Sequence, residues 1–145
     1  MTYIHYQPLN GQKPKFNEDC LIRAISRWLF IPNEKSHLFA WQSAVYFAAR
    51  MSYEEHIFPA NMQVCILSYF EHHGCEIKTL ERRRTVASIA KDLNEPAFLI
   101  VADHIVFAKD GKYYDSWDSG RKVVKKIIFL KDYKEESNLI WGVED

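Results

Sequence analysis

Long apolar runs are absent from this sequence. No segment approaches the roughly 18 continuous apolar residues that a membrane-spanning helix needs. The residues from Met1 to Pro8 contain neither a basic leader nor the apolar core of a secretory signal. These absences argue against a membrane partner and predict a cytoplasmic protein.

Cysteine is scarce as well. The three cysteines, Cys20, Cys65 and Cys75, are an odd number without a C-x-x-C pair, which predicts reduced thiols rather than a disulfide framework or a zinc site. His72 and His73 are adjacent, so on a helix they face different directions, and no third ligand follows at metal-binding spacing. We interpret them as a solvated helix end and expect no metal and no other cofactor.

Net charge is the third absence. Lysine plus arginine (19) equal aspartate plus glutamate (19), so no long-range field favours nucleic acid or an anionic membrane. The 145 residues are 48% hydrophobic and 14% aromatic, which suits a single domain over residues 1–145 with a sizeable core. There is no internal repeat, linker or low-complexity tract.

The hydrophobic pattern changes from helical to β about two thirds of the way along the chain. We predict helices over about Asp19 to Phe30, Ser36 to Met51, Asn61 to His73 and Thr85 to Leu93. We predict strands over about Cys75 to Leu80, Phe98 to Val101, His104 to Ala108, Tyr113 to Trp117, Val123 to Leu130 and Leu139 to Val143. The order predicts an α+β protein in which N-terminal helices pack on a C-terminal antiparallel sheet.

Cys20 has the most informative position of any residue. It lies where a polar stretch gives way to the apolar run of the first predicted helix. A thiol in the first turn of a helix is near the positive end of the helix dipole, which favours the thiolate form. We therefore predict that Cys20 is a nucleophile; the alternative is a small buried hydrophobe.

A base and an orienting carboxylate follow in the β region. His104 begins one predicted strand and Asp115 lies near the end of the next, and the Asp110-Gly111 pair between them is typical of a tight hairpin turn. Such a hairpin brings both side chains to the same end. Asp118 is an alternative orienter, although it also suits a turn before Ser119 and Gly120.

This arrangement resembles the papain-like cysteine peptidase fold. The order Cys, His, Asp fits a catalytic triad, and Asp115-Ser116-Trp117 looks like the Asn-Ser-Trp element of that family. A closer resemblance is to small papain-like proteins of bacteriophages and mobile elements. It rests on Asp19-Cys20-Leu21-Ile22-Arg23-Ala24-Ile25, and on the stretch from His104 to Asp118 that ends in Tyr114-Asp115-Ser116-Trp117-Asp118.

The resemblance implies a thiol-dependent hydrolase that acts on a peptide, isopeptide or amide bond, or a related deamidase or transamidase. Its substrate would be a protein or peptide, a host protein among the candidates, met in the host cytoplasm if a phage encodes the chain. Trp117 is expected to cover the His104–Asp115 pair. Arg23, three residues after Cys20, would either brace the site through an ion pair or cap the domain surface.

One departure from the family pattern concerns the oxyanion hole. Papain-like peptidases usually carry a glutamine six residues before the nucleophile, and Pro14 stands there in this chain. Proline donates no hydrogen bond, so Asn17 or Gln12 would have to supply the second donor beside the Cys20 N–H. Losing such a donor costs about 100- to 1000-fold in rate. The alternative function is therefore an inactive papain-like scaffold that binds and inhibits a host factor.

Overall fold

A computed structural model describes residues 2–7, 19–29, 37–57 and 62–134 of the chain. The helices are α1 (Asp19–Leu29), α2 (His37–Glu55), α3 (Met62–His72) and α4 (Val86–Asp92). The strands are β1 (Tyr3–His5), β2 (Ile77–Thr79), β3 (Ala97–Val101), β4 (His104–Lys109), β5 (Lys112–Asp115) and β6 (Val124–Phe129). The protein therefore belongs to the α+β class, as predicted.

The helices lie close to their predicted positions. α2 is longer than predicted and continues past Met51 to Glu55, where Arg50 and Glu54 form an ion pair of 3.3 Å one turn apart. α3 ends at His72 and is followed by Gly74, whose φ of +90° suits glycine, while the Cys75 N–H donates to the Phe70 carbonyl as in a Schellman motif. In the ranges that the structure describes, no helix is both long and apolar enough to cross a membrane.

The sheet is mixed, so the prediction of a purely antiparallel sheet is wrong at one edge. Its strand order is β1-β5-β4-β3-β6-β2, and β1 pairs with β5 in parallel, with Tyr3 opposite Tyr113. The other neighbours are antiparallel. β1 could not be predicted, because a strand of three residues is too short to show a period-2 pattern.

The β4–β5 hairpin has the predicted turn. Asp110 and Gly111 have φ values of 53° and 80°, the left-handed backbone that an Asp-Gly hairpin loop requires. β5 ends at Asp115, earlier than the predicted Trp117, because the Ser116 N–H donates to the Asp115 side chain. The strand predicted over Leu139 to Val143 lies outside the described residues.

Apolar side chains bury both faces of the sheet. One face packs on α1, α2 and α3 through Phe98, Ile100, Ile105, Phe107 and Ile128. The other packs on α4 through Leu99, Val101, Val106, Ala108 and Ile127. Successive residues of β3 and β4 thus enter different cores, as the alternation of side chains along a strand requires. The ends of β4 and β5, held between these layers, carry the candidate site.

Candidate active site

Cys20 lies in the first turn of α1 and is partly exposed. The residues that follow it, Leu21, Ile22, Ala24 and Ile25, are all buried in the larger core. This buried face fixes the helix against β4 and β5. The thiol is therefore held at a helix N-terminus, where the helix dipole favours negative charge.

His104 and Asp115 form a hydrogen-bonded pair at one end of the hairpin. His104 is the first residue of β4 and Asp115 the last of β5, and the register places Phe107 opposite Tyr114. The His104 Nε2 to Asp115 Oδ2 distance is 2.6 Å. Asp115 occupies Nε2, so Nδ1 is the ring nitrogen left for another partner.

That partner is Cys20, whose thiol is within hydrogen-bonding reach of the His104 ring. Burial lowers the pKa of His104, but the hydrogen bonds to Asp115 and Cys20 and the negative charges of both outweigh burial and raise the pKa to about 9. The imidazole is therefore held as imidazolium at neutral pH. The structure thus brings the three residues predicted as a triad together.

The Asp115 carboxylate accepts several hydrogen bonds. It is 1% exposed and accepts from four groups: His104 Nε2, Ser119 Oγ at 2.8 Å, Arg23 Nη1 at 3.3 Å and the Ser116 N–H at 2.8 Å. A buried charge is tolerated when it is paired and hydrogen-bonded in this way. Such a carboxylate cannot rotate easily, so it fixes the orientation of the imidazole ring.

Trp117 and Asp118 have separate places. The Trp117 ring lies 5.1 Å from the His104 ring, centroid to centroid, and remains 44% exposed, so it covers one face of the imidazole and also meets solvent. Asp118 accepts hydrogen bonds from the Tyr113 hydroxyl and the Gly120 N–H, and its pKa is lowered chiefly by the first of these. Of the two candidate orienters, Asp115 contacts His104.

The other two cysteines have a different environment. Both are free and buried. Burial raises the pKa of Cys65 and of Cys75 to about 11, and the nearby carboxylates of Glu55 and Asp132 add to the shift. Neither is a nucleophile at neutral pH.

Two predicted site residues, Asn17 and Gln12, lie outside the described residues, as does Pro14. The oxyanion donors proposed from the sequence therefore stay predictions.

Two contacts of the site carried no recognisable sequence signal. Ser119 is fully buried and donates to Asp115, yet a serine in a turn is common. Gln63 of α3 donates through Nε2 to the Val101 carbonyl at 2.8 Å, which ties α3 to the connection between β3 and β4 just before His104. Neither spacing nor periodicity could have linked these residues to the triad.

The histidines at the end of α3 differ from each other, and the expectation of a solvated pair is wrong for one of them. His72 is exposed beside Glu55, whereas His73 is buried, with Nε2 2.9 Å from Glu54 and Nδ1 2.9 Å from the Lys134 carbonyl. The chain folds back over the helix end there and covers His73. Among the described residues, no group of three His, Cys, Asp or Glu side chains could hold a metal ion.

Comparisons with known proteins found no matching family model, no matching curated protein and no matching solved structure.

Proposed function

We propose that the chain is a papain-like cysteine hydrolase that uses Cys20, His104 and Asp115 for acyl transfer on a peptide, isopeptide or amide bond. One observation carries the proposal: the His104 imidazole bonds the buried Asp115 through Nε2 and meets the Cys20 thiol with its other side. Nucleophile, base and orienter within hydrogen-bond reach are the requirement for an activated nucleophile.

In the proposed reaction, the proton shared by Cys20 and His104 starts on the imidazole. The Cys20 thiolate attacks the carbonyl carbon, and the bond between that carbon and the leaving nitrogen breaks as His104 gives its proton to the amine. This leaves a thioester on Cys20 and a neutral imidazole. His104 then takes a proton from water, the hydroxide adds to the thioester, and the C–S bond breaks to restore thiolate and imidazolium. Asp115 keeps the ring oriented throughout.

The substrate class follows from the same chemistry. A protein or peptide carbonyl gives a peptidase or isopeptidase. A glutamine side-chain amide gives a deamidase, and an amine in place of water gives a transamidase. No cofactor takes part in any of these steps.

The test is alkylation of the full chain with iodoacetamide at pH 6, followed by mass-spectrometric mapping of the modified cysteine. We expect modification at Cys20 in strong preference to Cys65 and Cys75, whose pKa values are raised by burial to about 11. Equal modification of the three cysteines, or none at Cys20, contradicts the proposal.

The matched control is the variant His104→Ala. An isolated thiol with a pKa near 8.5 is about 0.3% thiolate at pH 6, so loss of the imidazolium partner should slow alkylation of Cys20 by about 100-fold. An unchanged rate in a folded His104→Ala protein would mean that the histidine does not activate the thiol.

A second candidate function is the inactive scaffold that binds a host factor for a phage or mobile element. The observation in its favour is a set of exposed apolar side chains on α2 and α3, among them Tyr53 (70% exposed) and Val64 (57%). The variant Cys20→Ala separates the two functions. If the protein is an enzyme, Cys20→Ala abolishes its cellular effect and Tyr53→Ser does not. If the protein is a binding scaffold, Tyr53→Ser abolishes the effect and Cys20→Ala does not.

A further inference from the structure

Arg23 is a buried cation that contacts the candidate triad. It lies one turn after Cys20 on α1, is 5% exposed, and its Nη1 is 3.3 Å from Asp115 Oδ1. Residues three apart on a helix share a face, so α1 contacts the His104–Asp115 pair through two side chains. Cys20 contacts His104, and Arg23 contacts Asp115.

The four groups alternate in charge. In the ion-pair form that the proposed mechanism uses, they are the Cys20 thiolate, the His104 imidazolium, the Asp115 carboxylate and the Arg23 guanidinium. Two positive charges then face the carboxylate. In the thioester state the sulfur is uncharged and the imidazole has given up its proton, so Arg23 is the positive charge that remains beside Asp115.

A carboxylate that is 1% exposed and has no positive charge beside it is costly even when it is hydrogen-bonded, because almost no water can solvate it. Without Arg23, loss of the His104 proton would leave Asp115 with only the hydrogen bonds from Ser119, the Ser116 N–H and the neutral imidazole, so His104 would hold its proton more tightly. The step that needs a neutral His104 as base would then have fewer molecules in the correct protonation state.

We propose that Arg23 is a positioning residue that holds the charge of Asp115 while His104 is neutral, and so lets the imidazole release and regain its proton. The proposal rests on the acyl-transfer function proposed above and assigns to that site a fourth side chain. It concerns proton release by His104 and involves no contact between Arg23 and substrate.

Charged and titratable groups reach the His104–Asp115 pair from three elements. Cys20 and Arg23 come from α1 and Asp115 comes from β5, while β1 places His5 opposite Asp115 and donates from the Tyr3 hydroxyl to the Asp115 carbonyl at 3.2 Å. Lys122 lies beyond Trp117, with its Nζ 5.9 Å from the centre of the indole ring. Asp118 is bound to Tyr113 and Gly120. Arg23 is therefore the cation that directly pairs with the carboxylate oriented on His104.

The experiment compares two alkylating reagents on the full chain from pH 6 to pH 10.5. The imidazolium attracts the anion iodoacetate but not the neutral iodoacetamide, so the ratio of their rates at Cys20 falls as His104 loses its proton. We expect the wild-type midpoint near pH 9, the value to which Asp115 and Cys20 raise the pKa of His104.

Two substitutions separate charge from hydrogen bonding. Arg23→Gln keeps a side-chain donor and removes the charge, and we expect its midpoint to rise by about one pH unit. Arg23→Lys keeps the charge and should restore the wild-type midpoint. The matched control is Arg27→Gln, because Arg27 is the next arginine of α1 and lies over the Tyr114 ring at 4.1 Å. It should leave the midpoint unchanged.

Two results would contradict the role of Arg23 while leaving the proposed function intact. The first is an Arg23→Gln midpoint equal to the wild-type midpoint. The second is an Arg23→Lys midpoint that is shifted from the wild-type midpoint as far as that of Arg23→Gln. A wild-type ratio that does not change with pH overturns both proposals. If Arg23→Gln does not fold, the double variant Arg23→Gln with Asp115→Asn decides. Recovery of the fold supports charge pairing, and continued unfolding shows that Arg23 acts through packing alone.

Discussion

At the scale of single residues, His104 connects every charge of the site. Its ring contacts the Asp115 carboxylate and the Cys20 thiol, and through Asp115 it depends on Arg23. The raised pKa of His104 also links this site to stability, because a histidine that binds its proton more tightly in the folded protein stabilises the fold while it is protonated.

We predict that the variant Cys20→Ser loses stability as the pH rises above about 6.5; the substitution removes the thiol, whose own titration would otherwise offset that of His104. An unperturbed histidine has a pKa of about 6.5, and the hydrogen bond and charge of Asp115 raise the pKa of His104 in the folded protein. The contribution of the protonated imidazole is therefore fully present below pH 6.5 and is lost as the pH rises through the folded-state pKa. Urea unfolding at several pH values measures the free energy of unfolding directly.

The control for this prediction is His104→Gln in the same Cys20→Ser background, which keeps a donor toward Asp115 but does not titrate. Its free energy of unfolding should be nearly flat over the same pH range. Equal slopes for Cys20→Ser with and without His104→Gln would assign the pH dependence to other groups.

The proximity of Cys20, His104 and Asp115 could be predicted from the sequence because each of the three has a local signal. Cys20 follows a helix start, and the Asp110-Gly111 turn sets the distance between His104 and Asp115. The partners of Asp115 could not be predicted in full. Ser119 gave no signal, and the sequence left Arg23 open between bracing the site and capping the surface, because which distant groups meet depends on how α1 packs on the sheet.

At the scale of elements, the loop after β5 supports the candidate site by contacting Asp115. It supplies Ser119 to Asp115 and passes close to Tyr113 at Gly120. A Cβ atom at Gly120 would lie 2.9 Å from Tyr113 Cζ and 3.0 Å from Asp118 Oδ1. The loop therefore has no space for a larger residue.

We predict that Gly120→Ala destabilises the protein by about 1–3 kcal/mol and slows alkylation of Cys20, because the loop must move and Ser119 moves with it. Gly111→Ala is the matched control. A Cβ at Gly111 meets no atom within 4 Å, but the φ of +80° should still cost about 1–2 kcal/mol. Thermal unfolding and the iodoacetamide rate distinguish the two: only Gly120→Ala should change the rate at Cys20.

The elements themselves differ in how far the sequence predicted them. α1 to α4 have clear periodicity, and the structure confirms that all four are helices, although α2 extends past its predicted end to Glu55. β1 is too short to predict, and its parallel pairing with β5 depends on contacts with residues about 110 positions away. The papain-like arrangement stays a prediction.

At the scale of the whole molecule, the two cores share one sheet. Phe98 and Leu99 are neighbours in β3, both are fully buried, and they enter different cores. The Phe98 ring packs between Trp28, Phe70 and Phe107, with centroid distances of 5.6 to 5.9 Å. In a single cooperative domain, a substitution in either core lowers the free energy of unfolding of the whole protein.

We predict that Phe98→Ala costs about 3–5 kcal/mol and Leu99→Ala about 2–5 kcal/mol, each in one unfolding transition. Urea unfolding followed by tryptophan fluorescence and by circular dichroism should give coincident curves for both variants. Lys125→Ala, an exposed position on β6, should change stability by less than about 0.5 kcal/mol. Separate transitions for the two cores would contradict the single-domain prediction.

The contacts of the site join residues at very different separations along the chain, and this predicts the order in which the contacts form during folding. His104 and Asp115 are 11 positions apart and close a short loop, whereas Arg23 and Asp115 are 92 positions apart. Contacts between distant residues form slowly, because chain entropy must be lost before the contact stabilises anything. We therefore expect the His104–Asp115 pair to form first during refolding and α1 to join it late. Under the proposed function, a half-folded molecule would then have no activated thiol with which to attack its neighbours.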